Sequence, residues 1–300
     1  MTSFGTVTIV GVGLIGGSIG RALKARALAA RVVGVGRNEA RLAEAVRLGA
    51  LDEATTDLAA GVAGADVVVV CTPVSQVALF VLRAAALGPS DVLVTDAGST
   101  KRTIVEAVEE DARGRATFVA AHPIAGSERS GVGHADADLF VDRVCVLTPT
   151  DQTPTDRLER ARAFWSALGC RLVETDPAAH DRTLALTSHL PHAVAAALAA
   201  TVPADSLGLA AGAYRDGPRV AVSDGALWAA IFHENRACLL SAIDRFTDQL
   251  QSFRRVLEAD DPAALLAWWE VARVNRSRFP LDRRSGTTRP VSGPEAANEH

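Results

Sequence analysis

From Thr6 to about Asp176, short runs of β-branched residues alternate with longer amphipathic stretches. The runs TVTIVG, RVVGVG, DVVVVC, DVLVTD, TFVAAH, RVCVLT and RLVET read as strands, and the segments between them repeat apolar residues at helical period. Such alternation predicts a mostly parallel sheet whose strands are joined by helical crossovers. After Asp176 the strand pattern stops, and Ala- and Leu-rich segments at helical spacing run to Phe279, interrupted by the Gly- and Pro-bearing stretch 211–218. The expected organisation is an α/β domain over residues 1–176 and an all-helical domain over 177–279. Residues 280–300 hold three prolines, two glycines and mostly polar side chains, a composition that cannot offset its ordering entropy, and read as a mobile tail.

Composition narrows the picture without changing it. Three hundred residues, 48% of them hydrophobic, can bury one large core or two ordinary ones. The net charge of -4 is spread without long runs of one sign, so neither nucleic acid nor membrane is implied as a partner. The longest apolar stretches are broken by Arg, Asp or Gly before the roughly 20 residues a membrane helix needs. Cys71, Cys145, Cys170 and Cys238 stand singly, and the chain opens on a strand rather than on a charged and apolar leader. Reduced thiols in a cytoplasmic protein are expected.

Gly11-Val12-Gly13-Leu14-Ile15-Gly16 follows the first strand and opens a helix. In that context Gly11 permits a tight turn, Gly13 lets the backbone approach a pyrophosphate, and Gly16 lets helix and strand pack closely. The free N–H groups around Leu14 and Ile15 and the positive end of the helix then face the phosphates. A dinucleotide-binding Rossmann domain is the fold expected. About 20 residues further on, where an NAD site carries an acidic residue for the ribose 2′-hydroxyl, the chain has Gly36, Arg37 and Asn38. Without that carboxylate, Arg37 can pair with a 2′-phosphate, so NADP is favoured. The alternative is a solvated Arg37 and an enzyme that accepts NAD through its pyrophosphate contacts.

Three polar segments end predicted strands: Cys71-Thr72-Pro73, Asp96-Ala97-Gly98-Ser99-Thr100-Lys101, and His122-Pro123-Ile124-Ala125-Gly126-Ser127-Glu128. The carboxyl edge of an open parallel sheet is where a ligand crevice forms, so these segments converge on the nicotinamide by topology. Thr72, Pro73 and Ser99 are candidates for cofactor binding, and His122 for acid–base work. His189 and His192 stand three apart on a helix; as a metal site this pair lacks a third ligand at helical spacing, and no metal is expected.

The blocks GVGLIGGSIG, VCTP, DAGSTK, HPIAGSERSG, SHLPHAVA and YRDGPRVAVSDGALW, in this order, resemble the prephenate and arogenate dehydrogenases of tyrosine biosynthesis. The resemblance covers residues 6 to about 279. It implies a helical dimerisation domain of the 6-phosphogluconate-dehydrogenase-like kind and oxidative decarboxylation of prephenate, with arogenate as the alternative substrate. It also assigns site residues. His122 takes the proton of the ring hydroxyl, Ser99 orients its imidazole, Arg219 holds the ring carboxylate with Asp216 as orienting partner, and His189 and His192 lie on the substrate side. Glu128 falls near the substrate or gates the cleft, with a solvated loop carboxylate as the alternative. Trp228, after the capping pair Ser223-Asp224, falls near the substrate pocket or in the core. Gly225, where relatives carry Pro, and the Gly217-Pro218 pair depart from the family pattern and bear on substrate preference. Two other readings stay open: another dehydrogenase with a Rossmann and a helical domain, such as a β-hydroxyacid dehydrogenase, and a non-catalytic NAD(P)-binding sensor.

Overall fold

A computed structural model of the chain describes residues 4–126 and 129–279. By packing it divides into two units, Met1–Ile243 and Asp244–His300. The first unit therefore reaches beyond residue 176 and takes in the first helices of the expected helical domain.

In this first unit the strands are β1 (Thr6–Val10), β2 (Arg31–Val35), β3 (Glu53–Thr55), β4 (Val67–Val70), β5 (Leu93–Asp96), β6 (Phe118–Val119), β7 (Ala121–Pro123), β8 (Val144–Leu147) and β9 (Arg171–Glu174). The helices between them are α1 (Leu14–Ala25), α2 (Glu39–Arg47), α3 (Leu58–Val62), α4 (Val74–Leu87), α5 (Arg102–Glu109), α6 (Ala112–Thr117) and α7 (Thr155–Ala167). Six strands pair in parallel in the order β3-β2-β1-β4-β5-β6, the doubly wound order of a dinucleotide-binding domain. All four valines of β4 are buried, as a central strand covered by helices on both faces requires.

Two expectations are corrected. TFVAAH is not one strand: Ala120 separates β6 from β7, and β7 leaves the parallel sheet to pair antiparallel with β8, which pairs parallel with β9. The sheet is thus two sheets, and His122 sits on β7, just where the chain changes from one to the other. The three-residue β3, Glu-Ala-Thr, carries no apolar alternation and went unpredicted.

No strand follows Glu174 among the described residues. Helix α8 (Pro177–Leu184), capped by Asp176, continues through a π turn (Ala185–His189) into α9 (Leu190–Thr201). The π turn has a local cause. Pro191 has no N–H for the Thr187 carbonyl four residues back, and the N–H of Leu190 reaches back five residues to Ala185. This continuous run of 25 residues has the length and apolarity of a membrane span, contrary to the expectation that none exists; its polar His180, Asp181 and His189 are nevertheless buried with hydrogen-bond partners. Then come α10 (Gly212–Asp216), a 3-10 turn (Arg219–Val222) packed on α9, and α11 (Gly225–Glu234) packed on α4.

The division between units falls inside α12 (Arg236–Glu258). The second unit holds the rest of α12 and α13 (Pro262–Ser277). Asp261 caps α13 through the N–H groups of Ala263 and Ala264, Pro262 occupies its first turn, and Phe253 and Trp268 pack with ring centroids 4.7 Å apart. Leu250, Leu257, Leu266, Trp269 and Val271 remain exposed in this unit. The expected tail, 280–300, lies outside the described residues.

Candidate active site

The glycine loop has the form its sequence predicts. Gly11 has φ +96°, and a Cβ there would come within 2.7 Å of the Cys71 carbonyl oxygen. At Gly16 a Cβ would stand 2.3 Å from the Gly11 carbonyl oxygen, so the first turn of α1 can approach the loop only without a side chain. Gly13 is the opposite case, with nothing within 4 Å of a Cβ. It is the cap of α1, which has no side-chain cap and no acidic residue in its first turn. The N–H groups at Leu14, Ile15 and Gly16 thus lie at a bare, positive helix end with open space before it, which suits the pyrophosphate of a dinucleotide. Thr72, just after β4, keeps a buried hydroxyl with no hydrogen-bond partner among the described residues, and Pro73 caps α4 beside it.

After β2, Arg37 is exposed and forms no hydrogen bond or ion pair among the described residues. Asn38 has a structural task, accepting the Arg41 N–H at 3.0 Å as the cap of α2.

At the end of β5 lies a fully buried ion pair. Lys101 Nζ donates to the Asp96 carboxylate and, at 2.8 Å, to the Ala121 carbonyl, while Asp96 accepts the N–H groups of Gly98 and Ala121 at 2.8 and 2.9 Å. These bonds tie β5 to the first residue of β7 and so fix the backbone that carries His122.

The His122 ring is half-buried, with Nδ1 at 2.9 Å from His180 Nε2. His180 Nδ1 lies 2.8 Å from Asp181 Oδ1. The same carboxylate accepts the N–H of Lys101 at 2.8 Å and that of Arg102 at 3.0 Å. Burial alone would raise the Asp181 carboxyl, but the hydrogen bonds from His180 and from these two backbone groups hold it below its ordinary value. Burial, aided by the charges of His180, Lys101 and His189, pushes the His122 imidazole well below its ordinary value, so it is neutral at pH 7.

Ser99, expected to orient that ring, does not do so: it is half-buried with no side-chain hydrogen bond among the described residues, and His180 takes the position instead. The reason is topological. Ser99 sits in the loop after β5, whereas α8 presents its first turns directly to α5. His180 and Asp181 carried no spacing signal; an adjacent His-Asp pair just inside a capped helix reads as solvated until tertiary burial is known.

His189, 1% exposed, accepts at Nδ1 from the Asn235 side-chain amide at 3.1 Å, and the same amide nitrogen donates to the Asp181 carbonyl at 2.8 Å. Burial pushes its pKa down to about 4. His192 donates from Nδ1 to the Ser188 carbonyl at 2.9 Å and stacks on Trp228 with centroids 3.5 Å apart. Its pKa is lowered by burial, with Arg219 adding to the effect. Trp228 also meets His189 edge-on at 6.2 Å and packs against the core below α4, as the core alternative expects. Asp224 caps its helix through the Leu227 N–H, and Ser223 does not share the task.

Arg219 is exposed, in the turn that packs on α9, and forms no hydrogen bond or ion pair among the described residues. Asp216 was expected to orient it, but it pairs with the adjacent Arg215 at 3.1 Å, also in solvent. Glu128 lies outside the described residues. No group of three or more His, Cys, Asp or Glu among the described residues is arranged to hold a metal ion.

Comparison with known proteins gives a consistent picture. A model of the prephenate dehydrogenase nucleotide-binding domain matches residues 19–174, and one of the prephenate dehydrogenase dimerization domain matches 176–270. The chain is 32% identical to the prephenate dehydrogenase of Bacillus subtilis over 286 residues, 93% of this chain and 77% of that protein. It is 32% identical to the cyclohexadienyl dehydrogenase of Zymomonas mobilis over 292 residues, 94% of this chain and 98% of the other. A crystal structure of prephenate dehydrogenase from A. aeolicus, in complex with hydroxyphenyl propionate and NAD+, superimposes with a TM-score of 0.85 at 30% identity, covering 92% of this chain and 98% of that one.

Proposed function

The chain belongs to the prephenate dehydrogenase family, and from that premise we propose that it oxidatively decarboxylates prephenate to 4-hydroxyphenylpyruvate, in the synthesis of tyrosine, with NADP as preferred hydride acceptor. The observation that carries this reading is His122 itself: a neutral, half-buried imidazole at the carboxyl edge of the sheet, with one nitrogen bound to His180 and Nε2 left for a ligand.

A bound oxidised nicotinamide dinucleotide supplies the hydride acceptor. The residues of this chain do the rest. His122 Nε2 takes the proton of the ring hydroxyl as hydride leaves the same carbon, and loss of the ring carboxylate as carbon dioxide then makes the ring aromatic. Arg219 suits the ring carboxylate, being a guanidinium unpaired among the described residues and one element away from His192 and Trp228. The bare end of α1 suits the pyrophosphate, and the buried hydroxyl of Thr72 has a hydrogen bond to give. Prephenate's pyruvyl side chain carries a neutral ketone where arogenate carries an ammonium that would need an anionic partner; His189 and His192, both with lowered pKa, favour the former without forbidding the latter. The name of the Zymomonas relative spans both substrates as cyclohexadienyl compounds.

NADP preference rests on Arg37, exposed beside Gly36 and unpaired among the described residues. Two further readings go with this function. The exposed apolar side chains of α12 and α13 are covered in a homodimer, and the protein works in the cytoplasm with its cysteines free. One assay tests the core of the proposal: cofactor reduction is followed with prephenate and with arogenate, each with NAD+ and NADP+. The expected result is highest kcat/KM for prephenate with NADP+, lowered about tenfold by Arg37→Ala with NADP+ alone. Equal rates with both cofactors before and after that substitution would remove Arg37 from cofactor choice.

A further inference from the structure

The hydrogen bonds around His180 and Asp181 settle more than the position of the base. A carboxylate only accepts, so the 2.8 Å bond from Asp181 Oδ1 places a proton on His180 Nδ1. The two backbone N–H groups on the same carboxylate, from Lys101 and Arg102, keep it ionised and in place. In the uncharged ring His180 Nε2 is then a lone pair, and at 2.9 Å it can only accept, from His122 Nδ1–H. Hence the His122 lone pair is at Nε2. A second chain leaves the same residue. The Asp181 carbonyl only accepts, so the Asn235 side-chain nitrogen at 2.8 Å is fixed as the donor, and its other hydrogen points to His189 Nδ1 at 3.1 Å. His189 must therefore carry its proton at Nε2.

We propose that His180 is a positioning residue for the reaction, anchored by Asp181: it holds His122 in the tautomer with Nε2 free, and shares the positive charge formed when His122 takes the substrate proton. The proposal rests on the assignment of His122 as the base. The step balances simply. The substrate O–H bond breaks, an N–H bond forms at His122 Nε2, and the His122 Nδ1–H proton remains in the bond to His180 Nε2, whose own Nδ1–H faces the Asp181 carboxylate. Charge created at the substrate side is thus spread from the half-buried His122 ring to the buried His180 ring, toward a fixed anion, as in the His–Asp portion of a hydrolase triad, with one ring more. His180 is 1% exposed and does not meet solvent. Its ring has no other hydrogen-bond partner among the described residues than His122 and Asp181.

The test uses the full chain, 15N-labelled at its histidines, with the ring signals of His122 and His189 assigned by single substitution. At pH 7.5 the proposal predicts opposite tautomers, Nδ1–H for His122 and Nε2–H for His189. In His180→Leu, His122 shifts toward Nε2–H. With prephenate, His180→Leu lowers kcat by at least about 30-fold while KM and the cofactor Kd stay within twofold, and His180→Gln, which restores an acceptor but cannot take up charge, recovers only part of the loss. Nε2–H on His122 in the wild-type protein, or an unchanged kcat in His180→Leu, overturns the proposal. If His180→Leu does not fold, the wild-type tautomers and His180→Gln decide. If neither prephenate nor arogenate is turned over, the reading of function fails, and the tautomers still decide on the role of His180.

Discussion

The interior around His122 and the rim that carries Arg219 are built in opposite ways. In the interior the charged groups are paired: Lys101 with Asp96, Asp181 with His180 and two backbone N–H groups, and the neutral His189 ring with Asn235. At the rim Arg219 and Arg37 are exposed and form no hydrogen bond or ion pair among the described residues, and Asp216 forms its ion pair with the adjacent Arg215 in solvent. Groups that move a proton must be fixed before the substrate arrives, because misplacement by an ångström costs rate. Groups that recognise a mobile anion gain most by being unpaired until it binds, since no internal ion pair then has to be broken.

Breaking the interior should therefore cost stability as well as rate. Lys101→Met leaves the Asp96 carboxylate buried without its counter-charge and is expected to lower the free energy of unfolding by about 3–5 kcal/mol, as read from urea denaturation. A loss below 1 kcal/mol would mean that Gly98 and Ala121 alone satisfy Asp96.

Acid is the next probe. His189 has a folded pKa of about 4, below the ordinary value of 6.5 that the unfolded chain regains. Between these values the unfolded state binds more protons, so stability present above pH 6.5 is lost as pH falls, amounting to about 3 kcal/mol by pH 4 from this ring. His122, also shifted downward, acts in the same sense. Denaturation midpoints measured from pH 7 to pH 4 should fall steadily, and His189→Gln should flatten part of that slope. In activity, the acid limb of kcat/KM should lie below pH 6.5, because protonation of His122 removes the base.

At the rim the effects are on recognition. Arg219→Ala should raise KM for prephenate by about 10–100-fold, the value of a charge-assisted hydrogen bond, with the unfolding midpoint unchanged. An unaltered KM would take Arg219 out of the site. Asp216→Asn should change KM by less than about twofold, since its exposed pairing with Arg215 contributes little; a tenfold change would restore it as the partner of Arg219.

The contrast also explains what the sequence disclosed. The parallel sheet was legible because its strands are β-branched runs of ordinary length, and the loop Gly11–Gly16 because its glycines answer to backbone geometry, which is local. His122 was legible as a residue just beyond the sixth parallel strand, although it lies in the middle of β7 and not at the end of a continuous strand TFVAAH. The group that orients it was not: Ser99 was chosen for its motif, whereas His180 reaches the ring from a helix 58 residues on, a tertiary pairing with no periodicity. The pairing of Asp216 was hidden for a related reason, since its ion pair is with the adjacent Arg215 and not with Arg219 three residues on. One missed feature had a signal: Pro191 inside a helical pattern marks a missing N–H, and the π turn that precedes it carries His189.

The central claim is that His122 is the base of a prephenate oxidation, and His122→Asn tests it most directly. Cofactor reduction with saturating prephenate, and cofactor affinity by fluorescence titration, are measured on the wild-type protein and on this variant. The account predicts robust turnover by the former, a fall in kcat of about 10³-fold in the latter, and cofactor Kd values within twofold of each other. A variant that keeps more than about a tenth of the wild-type kcat would contradict it, because no general base worth so little is being used.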